Sequence, residues 1–159
     1  MKLLGLSLAL VGGLAMASQV NGEDAQLVAP IHQFIDAFDK GDLKTAAAAN
    51  DPAGVVIVDE VSPHLWTGPQ AFESWAGDLM ADGKAHGLSE ERVDLSAATR
   101  ADVDVDRAYV VAPAVFSFRQ AGAAMREVAQ MTFVLRHGTD GWKILAWTFT
   151  GQGAQPAGK

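Results

Sequence analysis

Gln26-Leu27-Val28-Ala29-Pro30-Ile31-His32-Gln33-Phe34-Ile35-Asp36-Ala37-Phe38-Asp39-Lys40-Gly41-Asp42 is the stretch from which the fold is read. Leu27, Ile31, Phe34, Ile35 and Phe38 recur at spacings of three and four, which places them on one face of a helix. Pro30 has no N–H to give, so it belongs in the first turn or at a kink. Gly41 can take the left-handed conformation that ends a helix, and Asp42 can then cap a second, short helix through the alanines 46–49. Asn50-Asp51-Pro52-Ala53-Gly54 stops that helix, because the residue before a proline is pushed out of helical geometry.

Beyond this helical pair, Val55-Val56-Ile57-Val58 is a short β-branched run that predicts a buried strand delivering Asp59 and Glu60 at its end. Ser62-Pro63-His64-Leu65-Trp66-Thr67 reads as extended or looped. Gly68-Pro69 reads as the start of a third helix, with proline at its first position, Phe72, Trp75, Ala76 and Leu79 on one face, and Asp82-Gly83 as its end. From Glu91 the period becomes strand-like, with segments near Val93–Thr99, Arg107–Arg119, Arg126–His137 and Trp142–Gly151. Short glycine-bearing loops at 120–124 and 138–141 make the last three an antiparallel meander. Pro113 inside one strand predicts a bulge or an edge position.

In the last strand Ile144 and Ala146 alternate with Leu145, Trp147 and Phe149, and in an earlier one Val110, Ala112, Ala114, Phe116 and Phe118 alternate with Val111 and Val115. A sheet wetted on one side should instead alternate apolar with polar. Helices can cover one face, so the outer face is expected to meet a second copy of the chain in a homodimer.

The first 17 residues differ from the rest. Lys2, the apolar run Leu3–Met16 and the small-x-small Ala15-Met16-Ala17 form the pattern of a signal peptide cut after Ala17. The competing reading is a membrane anchor, but the chain turns polar at Ser18, short of the ~20 apolar residues that a span needs. The expected organisation is a signal peptide at 1–17, a flexible lead at 18–24, one domain at 25–151 and a disordered tail at 152–159, in a periplasmic or secreted protein. The 159 residues include no Cys and carry a formal charge of −7. Loss of Lys2 would leave 11 basic against 19 acidic residues, a charge of −8. Such a charge opposes nucleic-acid and anionic-membrane partners. Without Cys there is neither a disulfide framework nor a thiol nucleophile.

The order helix, short helix, strand, helix and curved antiparallel sheet resembles the nuclear-transport-factor-2-like superfamily. The likeness is carried by residues 31–42, by His64-Leu65-Trp66-Thr67-Gly68-Pro69 and by Gly141-Trp142-Lys143-Ile144, and spans roughly Asp24 to Gly151. It is greatest to small bacterial SnoaL-like proteins, many of which have no assigned activity. The resemblance implies an α+β, cystatin-like cone: a curved antiparallel sheet around three N-terminal helices, with an interior that can hold a ligand. Ketosteroid isomerase, the best-understood enzyme of this fold, uses a carboxylate base and an oxyanion hole of tyrosine and protonated aspartic acid. Set against it, the tyrosine position falls on Phe34, the base near Asp59, and the acidic donor near Ala129 or Gln130. Two of the three parts are missing, which speaks against that mechanism here.

Asp59, Glu60 and His64 are the clustered ionisable groups at the expected mouth of the cone. A carboxylate beside an imidazole is the minimum for acid–base work, and Asp59 with His64 is the candidate catalytic pair. A solvated turn would use the same residues to cap its own backbone. Strand alternation would turn Glu60 outward if Asp59 points inward. Phe34, Trp66, Phe72, Trp75, Phe116, Met131, Thr132 and Trp147 are the candidate lining of an aromatic pocket, with plain core as the competing reading. Asp102, Asp104 and Asp106 lack the glycine and glutamate of a calcium loop, having Arg107 and Pro113 at those places. His32, His86 and His137 are isolated, so no metal or other cofactor is implied. Three functions remain: a binder of a small, mainly apolar ligand; a lyase, isomerase or hydrolase using Asp59 and His64; and an interaction protein with a packed interior.

Overall fold

The computed structural model describes residues 25–158. The signal peptide and the lead expected from the sequence lie outside these residues. Helices α1 (Ala25–Asp39) and α2 (Leu43–Ala47) are followed by strands β1 (Val55–Val58) and β2 (Leu65–Gly68), then by helix α3 (Ala71–His86). Strands β3 (Leu88–Leu95), β4 (Arg100–Asp104), β5 (Arg107–Gln120), β6 (Ala123–Gly138), β7 (Gly141–Gly151) and β8 (Gln155–Pro156) complete the chain. One open, curved sheet runs in the order β2-β1-β7-β6-β5-β3, with β4 on β5 and β8 on β6. All pairs are antiparallel except β1 with β7. The α+β class and the helices against a curved sheet agree with the sequence reading.

Asp42 caps α2 as expected, its carboxylate accepting from Thr45 N at 3.0 Å. The third helix differs at both ends. Gly68 and Pro69 precede it, and it runs past Asp82-Gly83 to a left-handed Gly87 whose N–H meets Gly83 and Lys84 carbonyls. Gly83 stays helical because it packs against β3, where an added Cβ would lie 3.1 Å from the Glu91 carboxylate. Pro113 makes neither bulge nor edge. Its carbonyl accepts from Ser96 N at 2.9 Å, on the side where the partner of β5 changes from β3 to β4. N–H and C=O of a strand residue point the same way, so the missing N–H falls in that gap and costs β6 no bond. The tail at 152–158, expected to be disordered, returns along β6, with Met125 opposite Pro156, Arg126 opposite Gln155, and Ala157 N bonded to Ala124 O at 2.9 Å.

The inner face is built in rows across the strands. Trp66, Ile57, Trp147, Phe133 and Val110 are successive cross-strand partners, and all are buried. Phe34 of α1 closes on this row, with ring centroids 5.3 Å from Trp147 and 6.2 Å from Phe72. The expectation that Ile144 opposes Trp147 is corrected. The register slips between Val134 and Leu135, and Leu145 bulges, so Ile144 and Trp147 are both buried. One extra residue reverses the alternation and bends the strand.

Candidate functional site

Along the inner face, the row after Trp147 holds Phe149, Met131 and Ala112, and the next holds Gly151, Ala129 and Ala114. Ala112, Ala114, Ala129 and Gly151 carry little or no side chain, which leaves room on the concave side. The space becomes a cavity of about 440 Å³ between the sheet and the helices α1 and α3. That volume lies within the range of small-molecule sites. Phe34, Trp75, Trp147 and Met131 form its apolar depth, and Phe116, Phe118 and Phe149 line the sheet side.

Of the expected lining, Phe34, Trp75, Phe116, Met131 and Trp147 do meet at this cavity, and Trp66, Phe72 and Thr132 do not. Trp66 points its indole at Asp78 of α3, 2.8 Å away, on the side of the core nearer β2. Phe72 packs as core against Phe34 and Trp75. Thr132 follows Met131 on a regular strand and so lies on the outer face, opposite Thr148.

Asp59 and His64 both line the cavity, but their side chains do not bond to each other. The Asp59 carboxylate accepts from the Trp75 indole at 2.8 Å and from Glu60 N at 2.5 Å. The His64 ring instead sits 3.2 Å from the main-chain oxygen of Asp59. His64 itself has φ +74°, a left-handed conformation uncommon for residues with a Cβ. Glu60 also lines the cavity, contrary to the alternation argument, since β1 ends at Val58 and the chain turns after it.

Glu127, which sequence reasoning passed over, is a buried acid of this site. It shares the inward face of β6 with Ala129 and Met131, and the only signal would have been a charge on an otherwise apolar inward face. Its carboxylate accepts from Gly153 N at 2.6 Å, while that of Glu60 accepts from Gly151 N at 2.9 Å. Gly151 is the floor of this cradle, because an added Cβ would come within 2.0 Å of the Glu127 carboxylate and 2.7 Å of that of Glu60. Burial above all holds the Glu127 carboxyl above the ordinary value of 4.5, the Gly153 N–H opposes this, and the charges of Glu60 and Asp59 add to it.

A consequence can be measured. Folded Glu127 keeps its proton to higher pH than the unfolded chain does, so between the two titrations the folded state binds more protons and stability falls as pH rises. Glu127→Gln removes that loss. Chemical denaturation should find the variant more stable than wild type at about pH 7, equivalent to about 2–4 °C in Tm, and equal to it at about pH 4. A variant less stable at both would show that the carboxylate itself holds the fold.

Asn50 and Asp51 are buried polar residues at the far side of the core. Asp51 pairs with Arg136 and accepts from Ala53 N at 2.9 Å, a tie between the α2–β1 loop and β6. Among the described residues no three His, Asp or Glu side chains converge as metal ligands do, and no helix is long and apolar enough to cross a membrane.

Helices seated in the concave face of an open, curved sheet, with a cavity between them, define a protein of the nuclear-transport-factor-2-like class. A ketosteroid isomerase-like protein from Erwinia carotovora atroseptica superposes with a TM-score of 0.63 at 15% identity, over 84% of this chain and 98% of its own. A nuclear-transport-factor-2-like protein with a cystatin-like fold from Novosphingobium aromaticivorans gives 0.64 at 16%, over 84% and 82%. A hexachlorocyclohexane dehydrochlorinase, LinA type 2, gives 0.67 at 14%, over 82% and 89%. At such identities the likeness is one of fold. No curated protein sequence matches the chain. The SnoaL-like domain model matches residues 28–149, and the chain belongs to that family.

Proposed function

We propose that this chain is an exported protein that binds a small, mainly apolar molecule in the aromatic cavity. One observation carries the reading: Phe34, Trp75, Met131 and Trp147 meet around a cavity of about 440 Å³, a volume in the range of small-molecule sites. That depth is ring and thioether surface, suited to an apolar body.

Native mass spectrometry of protein purified from its source cells tests the proposal. The expected spectrum shows a chain shortened by residues 1–17 and carrying an added small mass. A full-length or ligand-free species would count against export or binding respectively. The same spectrum should show a dimer. The outer sheet face supports this, since Val56 and Val58 stay 41% and 44% exposed beside Ala146 and Thr148, and Val128 is 45% exposed.

A second reading, acid–base catalysis on the bound molecule, is favoured by two carboxyl groups in unlike surroundings: Asp59 fixed by the Trp75 indole, and Glu127 buried and inclined to hold a proton. Asp59→Asn protein from the same cells would then retain a molecule of different mass from that on wild type. Identical masses would leave binding alone.

A further inference from the structure

The cavity wall carries five carboxyl groups, those of Asp59, Glu60, Asp82, Glu91 and Glu127, and His64, but neither Lys nor Arg. The donors found on Asp59, Glu60 and Glu127 are neutral N–H groups: the Trp75 indole and the backbone of Glu60, Gly151 and Gly153. Among the described residues none of these three carboxylates, nor that of Glu91, is in an ion pair with Lys or Arg, while the arginines at 92, 100, 107, 119 and 136 are paired with acids elsewhere. Asp82 has the exposed His86 beside it at 3.3 Å. The negative charge at this cavity is therefore balanced by nothing in its own wall.

This charge borders the ring-lined depth. Trp75 belongs to both, donating its indole N–H to Asp59 while its ring stands 4.8 Å from Trp147 and 5.0 Å from Phe38. A pocket with acids at one end and π faces at the other is complementary to a positive charge on an apolar body, because carboxylates and ring faces both attract cations and the rings also accept hydrocarbon. An anionic ligand would meet repulsion from every ionised group of the wall, and a neutral one would leave the acids as they are.

Resting on the reading of the cavity as a small-molecule site, we propose that its ligand is a hydrophobic amine, the ammonium among Asp59, Glu60 and Glu127 and the apolar body against Phe34, Trp75 and Trp147. Two further features fit. Burial, followed by the neighbouring charge of Asp82, raises the Glu91 carboxyl, and the shift of Glu127 has the same leading cause. Both acids lack a cation that the ligand would bring. Gly151, by having no side chain, lets the carboxyl groups of Glu60 and Glu127 approach the same point of the sheet.

Isothermal titration calorimetry of the full chain with 2-(1-naphthyl)ethylamine and its neutral counterpart 2-(1-naphthyl)ethanol tests the inference. The amine is expected to bind about tenfold more tightly or better. In E60Q/E127Q that preference should shrink to within about threefold through weaker binding of the amine, and in the surface control E73Q/D104N it should persist. Alcohol binding as tightly as amine would overturn the amine class and leave the cavity reading standing. A preference surviving in E60Q/E127Q would take it away from Glu60 and Glu127, one lost in the surface control would assign it to the net charge of the chain, and either would overturn the inference too. Failure of both compounds to bind would sink the cavity reading along with it.

Discussion

Gly54→Ala is expected to destabilise the domain by about 3 kcal/mol or more, which for a chain of this size lowers Tm by about 10 °C. Gly54 has φ +127°, a conformation that residues with a Cβ rarely adopt. It also leads into β1 directly against Gly68 at the end of β2. An added Cβ would lie 2.5 Å from the Gly68 carbonyl carbon, 2.8 Å from its Cα and 2.9 Å from its oxygen. These are backbone atoms of a paired strand, with Val55 opposite Gly68, and no side chain can rotate to make room. Relief requires β1 and β2 to separate, and β1 is the strand that delivers Asp59 and Glu60 to the cavity. Gly68→Ala is the control. Its φ is +95° but an added Cβ meets nothing within 4 Å, so only backbone strain of about 1–2 kcal/mol applies. Thermal denaturation of the two variants should separate them clearly, and equal losses would show that the close approach at Gly54 is unimportant.

The contrast between these glycines shows where sequence reasoning reaches and where it stops. The spacing of Leu27, Ile31, Phe34, Ile35 and Phe38 fixes a helix because periodicity is local, and Asp42 as a cap follows from three residues of context. The order of helices and the β5–β6–β7 meander were legible for the same reason. Gly54 looked like loop punctuation, since its neighbour Gly68 is brought near only by strand pairing. The β7 bulge was hidden too. Ile144 and Trp147 are buried together only because Leu145 slips the register, and no composition signals a one-residue slip.

The site was half legible on similar grounds. Phe34, Trp75, Phe116, Met131 and Trp147 could be named because large apolar residues on regular elements face inward. Trp66 and Phe72 are equally buried, but in the filled part of the interior, and burial alone does not separate wall from core. Glu127 was missed because it is the one acid in a sixteen-residue strand that also carries Arg126 and Arg136. Its role depends on Glu60, Gly151 and Gly153, which meet it only in the folded chain.

Phe34→Ala joins core to site and should cost about 3–5 kcal/mol, the usual range for removing a buried ring. Phe34 is 1% exposed and its ring lies within 6.2 Å, centroid to centroid, of those of Phe38, Phe72, Trp75 and Trp147. Truncation removes those contacts and extends the cavity toward α1 with apolar walls. Such a space takes up small apolar molecules, and a molecule that binds only the folded state stabilises it by mass action. Saturating benzene should therefore raise the Tm of the variant by several degrees more than it raises that of wild type. The Trp147→Phe variant provides the comparison, because it keeps the ring and deletes the unpartnered indole nitrogen. It should lose little stability and respond to benzene as wild type does. If benzene stabilised wild type as much as Phe34→Ala, the space would already be open and apolar throughout, and Phe34 would be lining without being a support. If it stabilised neither, the helices would have collapsed onto the sheet, and Phe34 would be the residue that keeps the cavity from closing.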